Sequence, residues 1–162
     1  MDILDVIKKE HREASSMLAQ AQKCEPGEKL IALAKRIEYA LSTHVQIEER
    51  LLYSRLRKGA EEEEQLVDVY EAYTEHDVAG HLIDLLKSGR KPDEKFKAEL
   101  QVLGESIEHH VKEEESTVFS IARKLLSQSD LNELGEKWAK ARQRLDAANP
   151  RGSAKPPIRK AR

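Results

Sequence analysis

Cysteine is almost missing: Cys24 stands alone in 162 residues. One thiol excludes an intramolecular disulfide framework and a thiolate-rich metal site, and it suits a reducing compartment. Aromatic residues are scarce at 4%, and the 7 glycines and 5 prolines fall mainly between long apolar-periodic stretches, as in a mostly helical chain. Neither sign of charge dominates. Lys plus Arg number 28 against 30 Asp plus Glu, a formal net charge of −2, so no global field recruits nucleic acid or an anionic membrane, and neither is expected as a partner. No apolar run approaches the roughly 18 residues of a membrane span. The opening stretch MDILDVIKKE carries acidic residues where a signal peptide is basic. The expectation is a soluble cytoplasmic protein, monomeric or weakly dimeric, with one domain's worth of core.

The periodic stretches predict an all-α chain. Asp2, with Asp5 three residues on, caps a first helix to about Lys23, and Cys24-Glu25-Pro26-Gly27 breaks it. A second helix is expected from about Glu28 to Lys58, with Gly59 as a left-handed stop. The acidic run Glu61 to Glu64 places negative charge at the positive end of a third helix reaching about Lys87. After the turn Ser88 to Asp93, a fourth helix runs from about Glu94 to Leu126. Long helices with short connections predict an up-down-up-down four-helix bundle over residues 1–127. Asp130 with Glu133 reads as a capping box for a shorter accessory helix over 128–148, packed outside the bundle through Leu131, Leu134 and Trp138. Residues 149–162, NPRGSAKPPIRKAR, read as a disordered basic tail. The functional reading of that tail is an arm touching an acidic protein partner or nucleic acid; the plainer one is a solvated end.

A repeat runs through the bundle. EHREASSML (Glu10 to Leu18) matches EHDVAGHLI (Glu75 to Ile83), aligning His11 with His76. HVQIEERLLY (His44 to Tyr53) matches HVKEEESTVF (His110 to Phe119), aligning His44 with His110 and Glu48 with Glu114. Helical phase puts these residues on the apolar stripes. The stripes are Leu4, Ile7, His11, Leu18; Leu30, Leu33, Ile37, Leu41, His44, Glu48, Leu51; Leu66, Val69, Tyr73, His76, Gly80, Ile83; and Phe96, Leu100, Leu103, Ile107, His110, Glu114, Ile121, Leu125. Antiparallel packing then brings the matched polar residues to similar depth inside. Buried imidazoles and carboxylates without partners cost several kcal/mol each, and a bound cation resolves the conflict. Imidazole plus carboxylate without thiolate favours iron, manganese or zinc over copper(I), and bridging glutamates between two metals are a known bundle solution.

The order EH, HxxxEE, EH, HxxxEE resembles the hemerythrin-like HHE cation-binding domain over roughly Asp2 to Leu126. The resemblance implies metal ligands at His11, His44, Glu48, His76, His110 and Glu114, with Glu48 and Glu114 bridging two oxo- or hydroxo-bridged irons, for which manganese or zinc could substitute. One position departs from the pattern. Oxygen-carrying hemerythrins place a further histidine four residues after the third-helix ligand, where this chain has Gly80, with His81 one residue on and about 100° further round. Gly80 would thus leave a position open beside one metal for water, dioxygen, peroxide or nitric oxide.

Around the ligands, His81 is either exposed or a fifth ligand reached through a π-bulge, and His109 is peripheral or orients a ligand from behind. Glu10 and Glu75 are candidate partners of ligating histidines, whereas Glu49, Glu113 and Glu115 read as solvated or salt-bridged. Tyr53 could donate a hydrogen bond at the site, with core packing as its plainer role. The leading function is a non-haem di-iron protein that binds or reacts with small ligands in oxidative or nitrosative stress or iron homeostasis, with catalase-like peroxide turnover as its enzymatic form. The alternative is a non-catalytic iron-sensing or iron-storage module. No catalytic residue separate from the metal ligands is evident.

Overall fold

A computed structural model describes residues 1–153, all of whose regular structure is helical. Helix α1 (Ile3–Lys23) opens on Asp2, whose carboxylate accepts a hydrogen bond from the Asp5 N–H at 3.1 Å. Helix α2 (Glu28–Glu48) leads without a break into a π-helical turn, π1 (Glu49–Tyr53), and then α3 (Ser54–Gly59). Helix α4 (Glu63–Ser88) starts with a reciprocal box between Glu62 and Gln65. Helix α5 (Glu94–Glu113) continues through a second π turn, π2 (Glu114–Val118), into α6 (Phe119–Leu125). These form four rods in a ring: α1 against α2, α2 against α4, α4 against α5, and α5 against α1.

Helix α7 (Gln128–Ala148) lies across α1 and α2. Its cap is Ser127 with Asp130 at the third position, one turn earlier than the Asp130–Glu133 box expected from sequence. Gly135 lets it cross the N-terminus closely: a Cβ there would lie 2.3 Å from the Met1 carbonyl oxygen. The chain then makes one further helical turn, α8 (Pro150–Ser153), with Gly152 against the Tyr39 ring. The expected disordered tail, 149–162, thus begins with a helical turn, and residues 154–162 lie outside the described residues. Gly59 is also corrected: it ends α3 with a negative φ and makes no left-handed stop. Among the described residues no helix is long and apolar enough to cross a membrane.

The interior has three layers. One apolar cluster packs Ile3, Leu4, Ile7, Leu52, Tyr53, Leu56, Phe119 and their neighbours, and α7 adds Leu131, Leu134 and Trp138 to it. A second, at the other end, packs Leu18, Leu30, Ile37, Leu86, Phe96, Leu100 and Leu103. There Arg90, in the α4–α5 turn, donates two hydrogen bonds of 3.0 and 2.9 Å to the buried Glu38 carboxylate and ties that turn to α2. Between the clusters lie the buried polar residues His11, His44, Glu48, His76, His110 and Glu114.

The π turns alter which residues face inward. Uninterrupted α phase puts Leu51 on the stripe below Glu48, whereas the i→i+5 ladder of π1 leaves Leu51 half-buried and turns Leu52 and Tyr53 fully inward. Gly80 likewise leaves the stripe: Ala79 and Ile83 are buried while Gly80 is exposed.

Candidate metal centre

Each histidine of the polar layer is held from behind by a glutamate. His44 Nδ1 bonds Glu10 Oε2 at 2.9 Å, and His110 Nδ1 bonds Glu75 Oε2 at 2.7 Å. His11 Nδ1 bonds Glu115 Oε1 at 2.9 Å, and His76 Nδ1 bonds Glu49 Oε1 at 3.0 Å. A carboxylate only accepts, so each Nδ1 carries the proton it donates, and in the neutral ring each Nε2 is a lone pair. All four Nε2 atoms turn toward the centre. His76 Nε2 and His110 Nε2 sit 3.1 Å apart, an arrangement in which two lone pairs face each other unless a proton or a metal cation lies between them.

The two central carboxylates each touch one histidine from either pair. Glu48 Oε2 lies 3.3 Å from His44 Nε2 and 3.4 Å from His76 Nε2. Glu114 Oε2 lies 3.2 Å from His11 Nε2 and 3.6 Å from His110 Nε2. These are ion-pair separations, and His11 Nε2, His44 Nε2, both Glu48 oxygens and Glu114 Oε2 remain buried without a hydrogen-bond partner. Such groups cost about 1–3 kcal/mol each, and more when charged. Ligand atoms converge in two groups: those of His11, His44 and Glu48 lie within 4.8 Å of one another, as do those of Glu48, His76 and His110. The donor set, nitrogen and carboxylate oxygen, fits a divalent transition metal at each.

Without a cation the site is an acid–base lattice. Burial alone would lower the His44 pKa, but the Glu48 charge and the Glu10 hydrogen bond push it up to about 10. The His76 pKa is raised in the same way to about 9 by Glu48 and Glu49. Burial opposes ionisation of Glu48, yet His44 and His76 hold its pKa well below the ordinary carboxylate value. The metal-free layer therefore keeps protons where cations would sit.

Tyr53, brought inward by π1, donates from its hydroxyl to Glu114 Oε1 at 2.6 Å and stacks on His76 with ring centroids 5.1 Å apart. Its phenol pKa is raised well above 10 by burial and by the nearby Glu48 and Glu114 charges, so it stays a donor. His109 is mostly exposed and reaches Glu75 at 3.2 Å, behind His110. His81 is exposed and makes no hydrogen bond to the centre among the described residues; the π turns fall beside Glu48 and Glu114 and not beside His81. Glu113 is exposed on α5.

Two larger cavities reach the layer, besides one of about 40 Å³ that Glu75 and Glu114 line. One, of about 430 Å³, touches all four histidines and is walled outside by Arg36, Tyr39, Arg142, Asp146 and α8. The other, of about 530 Å³, runs between α2 and α4 past His76, Gly80 and His81. A Cβ at Gly80 would meet nothing within 4 Å.

Glu49 and Glu115, read from the sequence as solvated or salt-bridged, pair with His76 and His11, and it is their place behind those rings that sequence reasoning missed. The repeat held the signal: it pairs Glu49 with Glu115 as it pairs Glu48 with Glu114.

The hemerythrin HHE cation-binding domain model matches residues 2–122, the span that carries all of these ligand candidates and their orienting glutamates. The chain belongs to this hemerythrin HHE family. It is also 30% identical over 139 residues to a protein of Nostoc sp. (strain PCC 7120 / SAG 25.82 / UTEX 2576) described as a DNA nickase; the match covers 86% of this chain but only 37% of that protein. No solved structure matches the chain. In this family member the helix that lies against Glu10, α7, falls after the matched span.

Proposed function

We propose that the chain is a non-haem di-iron protein that binds or reacts with a small ligand such as dioxygen, peroxide or nitric oxide. His11 and His44 would hold one iron and His76 and His110 the other, with Glu48 and Glu114 shared between them. The observation that carries this reading is the crosswise contact of both carboxylates: each touches one histidine of either pair, and the contacting atoms of Glu48, Glu114, His11 and His44 are left without hydrogen-bond partners. The irons, when bound, would supply Lewis acidity and a change of oxidation state.

The chain's own residues do the rest. The four outer glutamates fix the histidine tautomers and aim each Nε2 inward. The Tyr53 hydroxyl keeps a proton at the centre, donated to Glu114 and 3.5 Å from His76 Nε2. The apolar clusters above and below close the layer at both ends of the bundle, so access to it runs through the lateral cavities. Gly80 leaves room beside His76 along the second cavity, which supports an open position for the small ligand on that side.

The test is metal content per chain, with the ultraviolet-visible spectrum, after aerobic and anaerobic purification. Two irons per chain that perturb their absorption on adding azide or nitric oxide are expected, and Gly80→His should weaken that response. Well below one transition metal per chain after ferrous reconstitution would sink the reading. Peroxide consumption lost in His110→Ala would mark an enzyme, whereas metal-dependent melting without turnover would mark an iron-sensing or storage module.

A further inference from the structure

The two halves of the centre are related by the repeat, but they are not supported alike. Glu10 and Glu75 are equivalent, each bonded to the Nδ1 of a histidine on the next rod. Behind Glu75, among the described residues, the only hydrogen-bonding or ion-pair partner is His109, whose side chain is 64% exposed. Behind Glu10 stands α7. Trp138 Nε1 donates to Glu10 Oε1 at 2.9 Å, and Arg142 Nε donates to the same oxygen at 3.1 Å. The Arg142 guanidinium also donates to Glu10 Oε2, the oxygen that receives His44, and to Thr43 Oγ1 beside His44. Both Glu10 oxygens are thus engaged, and the carboxylate cannot swing away from His44 without breaking bonds to α7. The Trp138 ring adds an edge contact to the imidazole, with centroids 5.2 Å apart. Helix α7 is itself anchored beside this point by Tyr39, which donates to Asp146 at 2.8 Å.

We propose that Trp138 and Arg142 are positioning residues for His44, so that α7 sets the metal affinity of the His11–His44 position and leaves the His76–His110 position unaffected. The inference rests on the two-metal reading above. Its physical basis is preorganisation: a ligand imidazole whose orienting carboxylate is locked by three further hydrogen bonds loses less freedom when it takes a cation. No symmetry mate of this lock exists among the described residues, because the only helix laid over an outer glutamate is α7. Displacement of α7, by whatever cause, would then empty one position and spare its neighbour.

The test is a titration of Zn²⁺ into the metal-free full chain, followed by calorimetry. Two binding events are expected, assigned by their loss in His44→Ala and in His110→Ala. Trp138→Phe keeps an aromatic ring and removes the donor; Arg142→Leu removes the guanidinium. Each should weaken the event assigned to His44 by about tenfold to a hundredfold and leave the other unchanged, while Arg142→Lys, which retains a cation at Glu10, recovers part of the loss. Circular dichroism separates a positioning defect from a folding one, and the milder Trp138→Phe carries the test if Arg142→Leu misfolds. Equal weakening of both events, or no change in either, would overturn the positioning role while leaving the metal centre standing. No Zn²⁺ binding by the wild-type chain would overturn the metal centre and the positioning role together.

Discussion

Tyr53 shows how a side chain that looks like core becomes part of a site. Its ring belongs to an apolar cluster while its hydroxyl ends on Glu114, the amphipathic use that suits a buried tyrosine. Tyr53→Phe should leave a buried carboxylate oxygen without its donor and destabilise the metal-free protein by about 1–3 kcal/mol, read as a shift in the urea midpoint at constant slope. Asp2 offers a cleaner titration away from the centre. Partial burial works against its ionisation, but the Asp5 N–H, Gln128 and Arg123 outweigh it and hold the carboxyl below 3.8. A depressed folded pKa stabilises above the unfolded value and is lost as pH falls through the folded one. Asp2→Ala should therefore cost about 1 kcal/mol at neutral pH, with the gap between mutant and wild-type melts closing as pH drops below 3.8. A gap that widened on acidification would contradict the assignment. At this scale the ligand candidates were legible because each appears twice in phase. Glu49 and Glu115 were not, because a residue about 100° round from the carboxylate faces away from its own rod's centre yet reaches the back of a histidine on another rod.

Among the elements, the π turns escaped a reading built on 3.6-residue phase, since an extra residue per turn leaves no mark in composition. They sit at equivalent places in both halves, Glu49–Tyr53 and Glu114–Val118. Both turn two apolar or aromatic residues inward just past a central carboxylate: Leu52 with Tyr53, and Val118 with Phe119. Helix α7 was foreseen, through Leu131, Leu134 and Trp138, as a packing element; its hydrogen bonds to Glu10 were not, since sequence gives no register between an accessory helix and the bundle. Gly135 fixes that register. Gly135→Ala would press a methyl into the Met1 carbonyl, and a loss of about 1–3 kcal/mol is expected from the overpacking, together with a weaker first metal position. Gly80 is the opposite case. With free space around it, Gly80→Ala should raise stability by about 0.5–1 kcal/mol through helix propensity, measured by thermal melting of the metal-free protein; a loss would mean that the space is needed by something else.

For the molecule as a whole, a polar layer splits the interior between two apolar clusters, so cohesion across the layer depends on what fills it. Metal removal by chelation should lower the melting temperature. Each site contributes about 2.7 kcal/mol when free metal stands about 100-fold above its dissociation constant, and a melt indifferent to chelator would count against a structural role for the metals. The four rods and the accessory helix could be read from periodicity and turns, whereas the interlocking of the halves could not. Each hairpin supplies both histidines of one position, but Glu49 and Glu115 reach across to orient a histidine of the opposite hairpin, and Glu48 and Glu114 each touch one as well. A single hairpin would therefore lack half of every shell. Two identical hairpins related by a two-fold axis would restore these contacts, because each crossing glutamate–histidine pair has its mate under the same operation. The glutamate–histidine layer is arranged as in a symmetric homodimer whose subunits have been joined end to end, and among the described residues Tyr53, opposite Phe119, and the added α7 and α8 break that symmetry.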